Sequence, residues 1–216
     1  MKLKRLLTAA LSAVMALSVC ALPAMAEGTT STSTFDPSIT KGTLTINKYE
    51  QTTEQAGKNP VEKGTPLDGV EFTIYQLATI DQGLNTEGNF ELKYTPTTSA
   101  LVSTDFEGVT DPTTGKIDSK ALYDQISSKI TTPVKNELVN AGLKHSATTG
   151  ADGAAHGQAK FENLPLGIYM VEETKAPSQI LSYTANFIVS IPMMDDDNKT
   201  WNYDVVAEPK NVPTYG

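Results

Sequence analysis

From residue 42 onward the chain repeats one pattern: short runs of alternating apolar and polar residues, each closed by turn-forming residues. In "GTLTINKYE" (42–50), Leu44 and Ile46 alternate with Thr43, Thr45 and Asn47. In "GVEFTIYQL" (69–77), Val70, Phe72 and Ile74 share one side. Further runs follow at 158–164, 167–175, 181–192 and from Trp201 to Asn211. A period of two is that of a half-buried strand, and many such strands separated by turns predict an all-β sandwich. Residues 82–118 are rich in turn formers, and "HSATTGADGAAHG" (145–157) has the composition of a loop. Between them the period changes. Ser119 is a candidate cap for a helix bearing Leu122, Ile126 and Ile130, and Pro133 can open a second helix that stops at Gly142. A short helical insertion around 119–142 is therefore predicted to decorate the sandwich.

The first residues have a different purpose. Lys2, Lys4 and Arg5 precede an apolar run from Leu6 to Val19 and the small-residue site Ala24-Met25-Ala26, the layout of a secretory signal peptide over 1–26. Residues 27–40 form a Ser/Thr-rich leader of flexible composition. The sole cysteine, Cys20, lies within the signal segment, so the exported chain has neither disulfides nor a thiol nucleophile. Removing three of the seventeen basic residues leaves fourteen against twenty-five acidic ones, a net charge of −11. Such a surface disfavours nucleic acid and anionic membranes as partners. The roughly 170 residues that remain suffice for one good core.

Strand parity raises two questions. On the face defined by Leu44 and Ile46 the next residue is Lys48, whose amine would be costly to bury without a partner. A frayed strand end, from which the side chain snorkels to water, is the plain alternative. In the last run Trp201, Tyr203, Val205 and Ala207 share a face, and the count continued through Pro209 puts Asn211 inward and Lys210 outward.

Tyr169-x-Val171-x-Glu173-Thr174-x-Ala176-Pro177 resembles the E-box of Gram-positive pilins and collagen-adhesin B-type domains. Leu67-x-Gly69-x-x-Phe72 resembles a strand motif of the same domains, and Trp201-x-x-x-Val205-x-x-x-Pro209-Lys210 is similar to the pilin motif. The motifs follow the family's order over about 41–211. Val171 stands where leucine is usual, Ser178-Gln179-Ile180 replaces the common sequence after the proline, and Ala207-Glu208 occupies the place of a Val-Tyr pair. The resemblance implies the N-terminal, immunoglobulin-like domain of a sortase-assembled backbone pilin. It implies an internal isopeptide between Lys48 and Asn211, promoted by Glu173 in a single self-modification. It also implies that Lys210, supported by Trp201, Val205 and Pro209, accepts the intersubunit bond made by a class C sortase. Partners would then be further copies of the pilin, accessory pilins and a host surface ligand, in a cell-wall pilus.

Parity does not separate Glu172 from Glu173, because each shares a face with apolar residues; the motif alone selects Glu173. An enzyme is disfavoured, since His145 and His156 form no metal pair and no nucleophile elbow or phosphate-binding glycine loop is present. No cofactor or metal is expected, and "DDDNK" (195–199) reads as a solvated hairpin loop, lacking the glycine and distal glutamate of a calcium loop. An adhesin or accessory pilin built on the same sandwich is the second reading. The sequence ends at "NVPTYG" without a sorting motif, so the expectation is a signal plus first domain of a longer pilin, with 212–216 starting a linker.

Overall fold

The computed structural model describes residues 31–32, 35–50, 64–84, 90–111, 114–178, 182–197, 199–209 and 211–213. The signal segment 1–26 and Lys210 lie outside the described residues. In chain order the strands are β1 (Ser31–Thr32), β2 (Lys41–Asn47), β3 (Glu71–Leu84) and β4 (Phe90–Pro96). Helices α1 (Ser119–Ile126) and α2 (Thr132–Asn140) follow, then β5 (Lys144–Thr148), β6 (Gln158–Pro165) and β7 (Gly167–Lys175). The chain continues through β8 (Ser182–Thr184), β9 (Phe187–Ile191), β10 (Met193–Met194), β11 (Trp201–Asn202), β12 (Asp204–Ala207) and β13 (Asn211–Pro213).

The result is an all-β, sandwich-like fold with a small helical insertion. One sheet has the order β12-β2-β6, and β12 runs parallel to β2 with Val205 opposite Leu44. The other has the order β4-β3-β7-β9, with β5 pairing the first residues of β3. Leu44, Ile46, Ala159, Phe161, Leu164 and Val205 of the smaller sheet are buried. They face the side of the larger sheet that carries Phe72, Ile74, Tyr169 and Val171, since register pairs Ile74 with Val171. The helices cover the opposite side of the larger sheet, where Lys135 of α2 lies over the Tyr75 ring. Strand β2, covered on one face, alternates in burial, whereas β7 is buried continuously from Gly167 to Glu172 because both its faces are covered.

One close approach fixes how the first strand meets the last. A Cβ on Gly42 would stand 2.2 Å from the Tyr203 carbonyl oxygen, the same oxygen that accepts the Thr43 N–H at 2.9 Å. Only a glycine lets β2 lie this close to the chain entering β12.

Local details differ from the sequence-based expectations. Helix α1 is capped one residue earlier than expected, by Asp118, whose carboxylate accepts the Ala121 N–H at 2.9 Å. Residues 145–148, the start of the run expected as loop, belong to β5, a polar edge strand that pairs with Glu71–Tyr75. Residues 90–96 form β4 within the stretch rich in turn formers, for which no element is predicted. The 181–192 run divides after Thr184, β8 pairing with β13 and β9 with β7. The last run divides too, and β13 pairs with β8 instead of continuing beside β2, so the parity count across Pro209 is interrupted. Proline has no N–H with which to extend the β12 ladder.

The described part of the leader packs on the domain, where the sequence predicts flexibility. Phe35 meets Trp201 edge-on at 5.7 Å, the Asp36 N–H donates to the Tyr203 hydroxyl at 2.9 Å, and β1 pairs with β11. An apolar ring in an otherwise polar segment supplies the contact.

Candidate cross-linking site

Lys48 is the residue that follows β2, and it keeps the strand's inward parity. Its backbone is held on both sides: the Lys48 N–H donates to the Gly157 carbonyl at 2.7 Å, and its own carbonyl accepts the Leu67 N–H at 3.0 Å. Gly157 has φ +71°, and a Cβ there would stand 2.7 Å from the Lys48 oxygen, so glycine is required by both conformation and space. The Gly157 N–H in turn donates to Asp68 Oδ1 at 2.7 Å, and Asp68 Oδ2 meets His156 Nδ1 at 2.6 Å. This bracket aims the lysine side chain into the sandwich rather than along its rim.

Inside, Lys48 is 1 % exposed. Its Nζ donates to Glu173 Oε2 and to Thr184 Oγ1, each at 2.8 Å. The same Glu173 oxygen accepts the Thr184 N–H at 2.9 Å. Desolvation disfavours the charged amine and pushes the Lys48 pKa below its ordinary value, an effect that Glu173 opposes as hydrogen-bond acceptor and negative charge. A buried lysine and carboxylate in contact thus share one small polar neighbour, Thr184.

The Cα register of β13 against β8 sets Asn211 directly opposite Thr184, the residue that holds the lysine amine. The Asn211 side chain and Lys210 lie outside the described residues. Lys48, Glu173 and the backbone of Asn211 therefore converge from three separate strand regions. Trp201 and Val205 are buried and anchor the last strands to the core, while Pro209 lies between β12 and β13.

Thr184 was not singled out by sequence reasoning; it lies in "LSYTANF", where a lone threonine on a strand carries no signal. A second lysine–glutamate contact was also missed. Lys135 of α2 pairs with Glu172, and the Asn186 Nδ2 donates to the same Glu172 Oε1 at 2.9 Å. Elsewhere, the Asp197 carboxylate accepts N–H groups of Lys199 and Thr200 within the β10–β11 hairpin. Among the described residues no group of three or more His, Cys, Asp or Glu could hold a metal ion, and no helix is long and apolar enough to cross a membrane.

Residues 38–212 match the family described as Gram-positive pilin subunit D1, N-terminal domain. Fimbrial subunit type 2 of Actinomyces naeslundii is 30 % identical over 213 residues, covering 94 % of this chain and 35 % of that protein. Fimbrial subunit type 1 of Actinomyces viscosus is 30 % identical over 219 residues, covering 95 % and 32 %. Among solved structures, the full-length major pilin SpaD of Corynebacterium diphtheriae is 30 % identical over 84 % of this chain and 32 % of its own, with a TM-score of 0.45. The chain thus spans about a third of the length of these relatives, two fimbrial subunits and a major pilin. With the family match running over nearly the whole sandwich, the chain belongs to the Gram-positive pilin subunit D1, N-terminal domain family.

Proposed function

We propose that this domain is the N-terminal part of a shaft subunit in a sortase-polymerised, covalently linked surface pilus, and that it carries its own internal cross-link. The observation that supports this reading most directly is the dry Lys48–Glu173 contact beside the residue opposite Asn211. In the proposed reaction Nζ gives a proton to Glu173 and, as a neutral amine, attacks the Asn211 carboxamide carbon. The Nζ–Cγ bond forms and the Cγ–Nδ2 bond breaks. Of the three ammonium protons, one stays in the new amide, one leaves on the departing amino group as ammonia, and one remains on Glu173. The event happens once per chain and ties the residue after β2 to the start of β13. A pull along the chain then loads a covalent bond instead of sheet hydrogen bonds.

Lys210 is the proposed acceptor for the class C sortase that joins one subunit to the next, with Trp201, Val205 and Pro209 fixing the strand that leads to it. Residues 1–26 direct export and are removed, residues 27–40 lead into the domain, and 212–216 begin the connection to further domains. The mature subunit is an extracellular pilus component whose partners are other pilins and, at the pilus surface, a host ligand. Incubation of the mature chain with a class C sortase and a peptide carrying its sorting motif tests the polymerisation role. An adduct mapped to Lys210, and lost in Lys210→Ala, is expected; an adduct at another lysine, or none, contradicts it.

A further inference from the structure

Thr184 makes three connections that meet at the proposed bond. Its hydroxyl accepts from Lys48 Nζ at 2.8 Å, its backbone N–H donates to Glu173 Oε2 at 2.9 Å, and its Cα is the register partner of Asn211. The residue is 3 % exposed, so water does not replace the hydroxyl. We propose that Thr184 is a fourth member of the cross-linking site: its hydroxyl holds the lysine amine at the point where β8 presents the acceptor strand, and its N–H holds the carboxyl that moves the proton. This assignment rests on the Lys48–Asn211 reading above.

The chemistry gives the hydroxyl a specific task. An amine that has passed a proton to Glu173 retains two N–H bonds and one lone pair, and it sits on a flexible four-carbon stem that can rotate. An N–H anchored on Thr184 Oγ1 restricts that rotation beside the strand that starts at Asn211. Orientation of this kind lowers a barrier without adding any group that reacts. The backbone N–H of Thr184 has a separate role, and it survives any side-chain substitution.

That separation makes the proposal testable. Full-length chain is made by cell-free translation, and ammonia loss is followed by intact mass over time across a range of pH. Thr184→Val preserves shape and the N–H to Glu173 but removes the hydroxyl; Thr184→Ser preserves the hydroxyl. The valine variant is expected to cross-link about tenfold more slowly or worse, the scale of one lost hydrogen bond to a charged group, and serine to stay near the parental rate. Thr184→Ala read beside Thr184→Ser gives the same contrast should valine fail to fold.

A pH profile separates chemistry from packing. A hydroxyl accepting from the ammonium favours the charged form, while Glu173 of β7 is the charged group that faces the amine. Removing the hydroxyl therefore moves the rise in rate to lower pH while reducing its plateau. A parental rate and profile in the valine variant overturn the role of Thr184 and leave the Lys48–Asn211 bond standing. A parent that never loses ammonia overturns both.

Discussion

Strand β7 carries two adjacent glutamates, and each meets a lysine on its own face of the strand. On the sandwich side Glu173 holds Lys48, with side-chain exposures of 4 % and 0 %. On the helix side Glu172 holds Lys135 and Asn186, with 11 % exposure for the glutamate and 27 % for the lysine. A lysine and a glutamate thus meet twice around one strand, and residue type does not distinguish the two pairs. Burial does. The sandwich closes over Lys48 so that desolvation works against its charge, while Lys135 reaches the rim of α2, stays within reach of water and rests on the Tyr75 ring. Burial works against the charge of the Lys48 amine, and on the proposed reading that is what makes it the reactive one.

The comparison breaks most visibly under alanine substitution. Glu173→Ala is expected to abolish cross-linking and to remove the carboxylate that faces the buried Lys48 amine, costing about 3–5 kcal/mol in the non-cross-linked chain. It also forfeits the loop-closure stabilisation of the bond, on the order of 5 kcal/mol for a loop this long by analogy with a disulfide. Glu172→Ala removes a largely buried carboxylate from a partly exposed lysine and from Asn186; it is expected to cost about 1–3 kcal/mol and to leave the cross-link intact. Urea unfolding of both variants, with intact mass as the companion readout, measures the difference. Gly157→Ala comes next, at about 1–3 kcal/mol, because alanine at φ +71° is strained and its Cβ meets the Lys48 carbonyl. It should also slow cross-linking by displacing the lysine backbone.

Acidity sharpens the comparison further. In Asn211→Ala the amine is not acylated, and its folded pKa lies below the unfolded value of 10.5. Between those two values the unfolded chain binds more protons than the folded one, so stability should rise with pH there. Thermal unfolding of the variant across pH checks it. The smallest effect is expected from salt. Raising ionic strength should weaken the Lys135–Glu172 pair by a few tenths of a kcal/mol, seen as a lost difference between parent and Glu172→Ala, and should leave cross-linking unaltered.

The same contrast explains what could be read from the sequence. The inward parity of Lys48 was legible because β2 is covered on one face only, so Leu44 and Ile46 mark the inside. On β7 the helical insertion covers the second face, every residue from Gly167 to Glu172 is buried, and alternation carries no information. There the E-box resemblance, not periodicity, selected Glu173, and the Lys48 contact agrees with that selection. Strand β5 escaped because "KHSAT" is polar along its length, its place in the sheet being set by backbone pairing to β3. The count from Trp201 to Asn211 crosses Pro209, which lacks an N–H, and beyond it the chain pairs with a different strand. Thr184 enters the site through long-range register between β8 and β13, which no local pattern encodes.

The central claim is that the dry Lys48–Glu173 contact beside the strand of Asn211, and not the partly exposed Lys135–Glu172 contact, marks a reactive site. Intact mass of the purified mature chain, followed by mapping of linked peptides, tests it most directly. The account predicts a chain lighter by one ammonia, with Lys48 joined to Asn211 and Lys135 and Asn186 unmodified. A chain of full mass, or one that has lost a second ammonia through a Lys135–Asn186 bond, would contradict it.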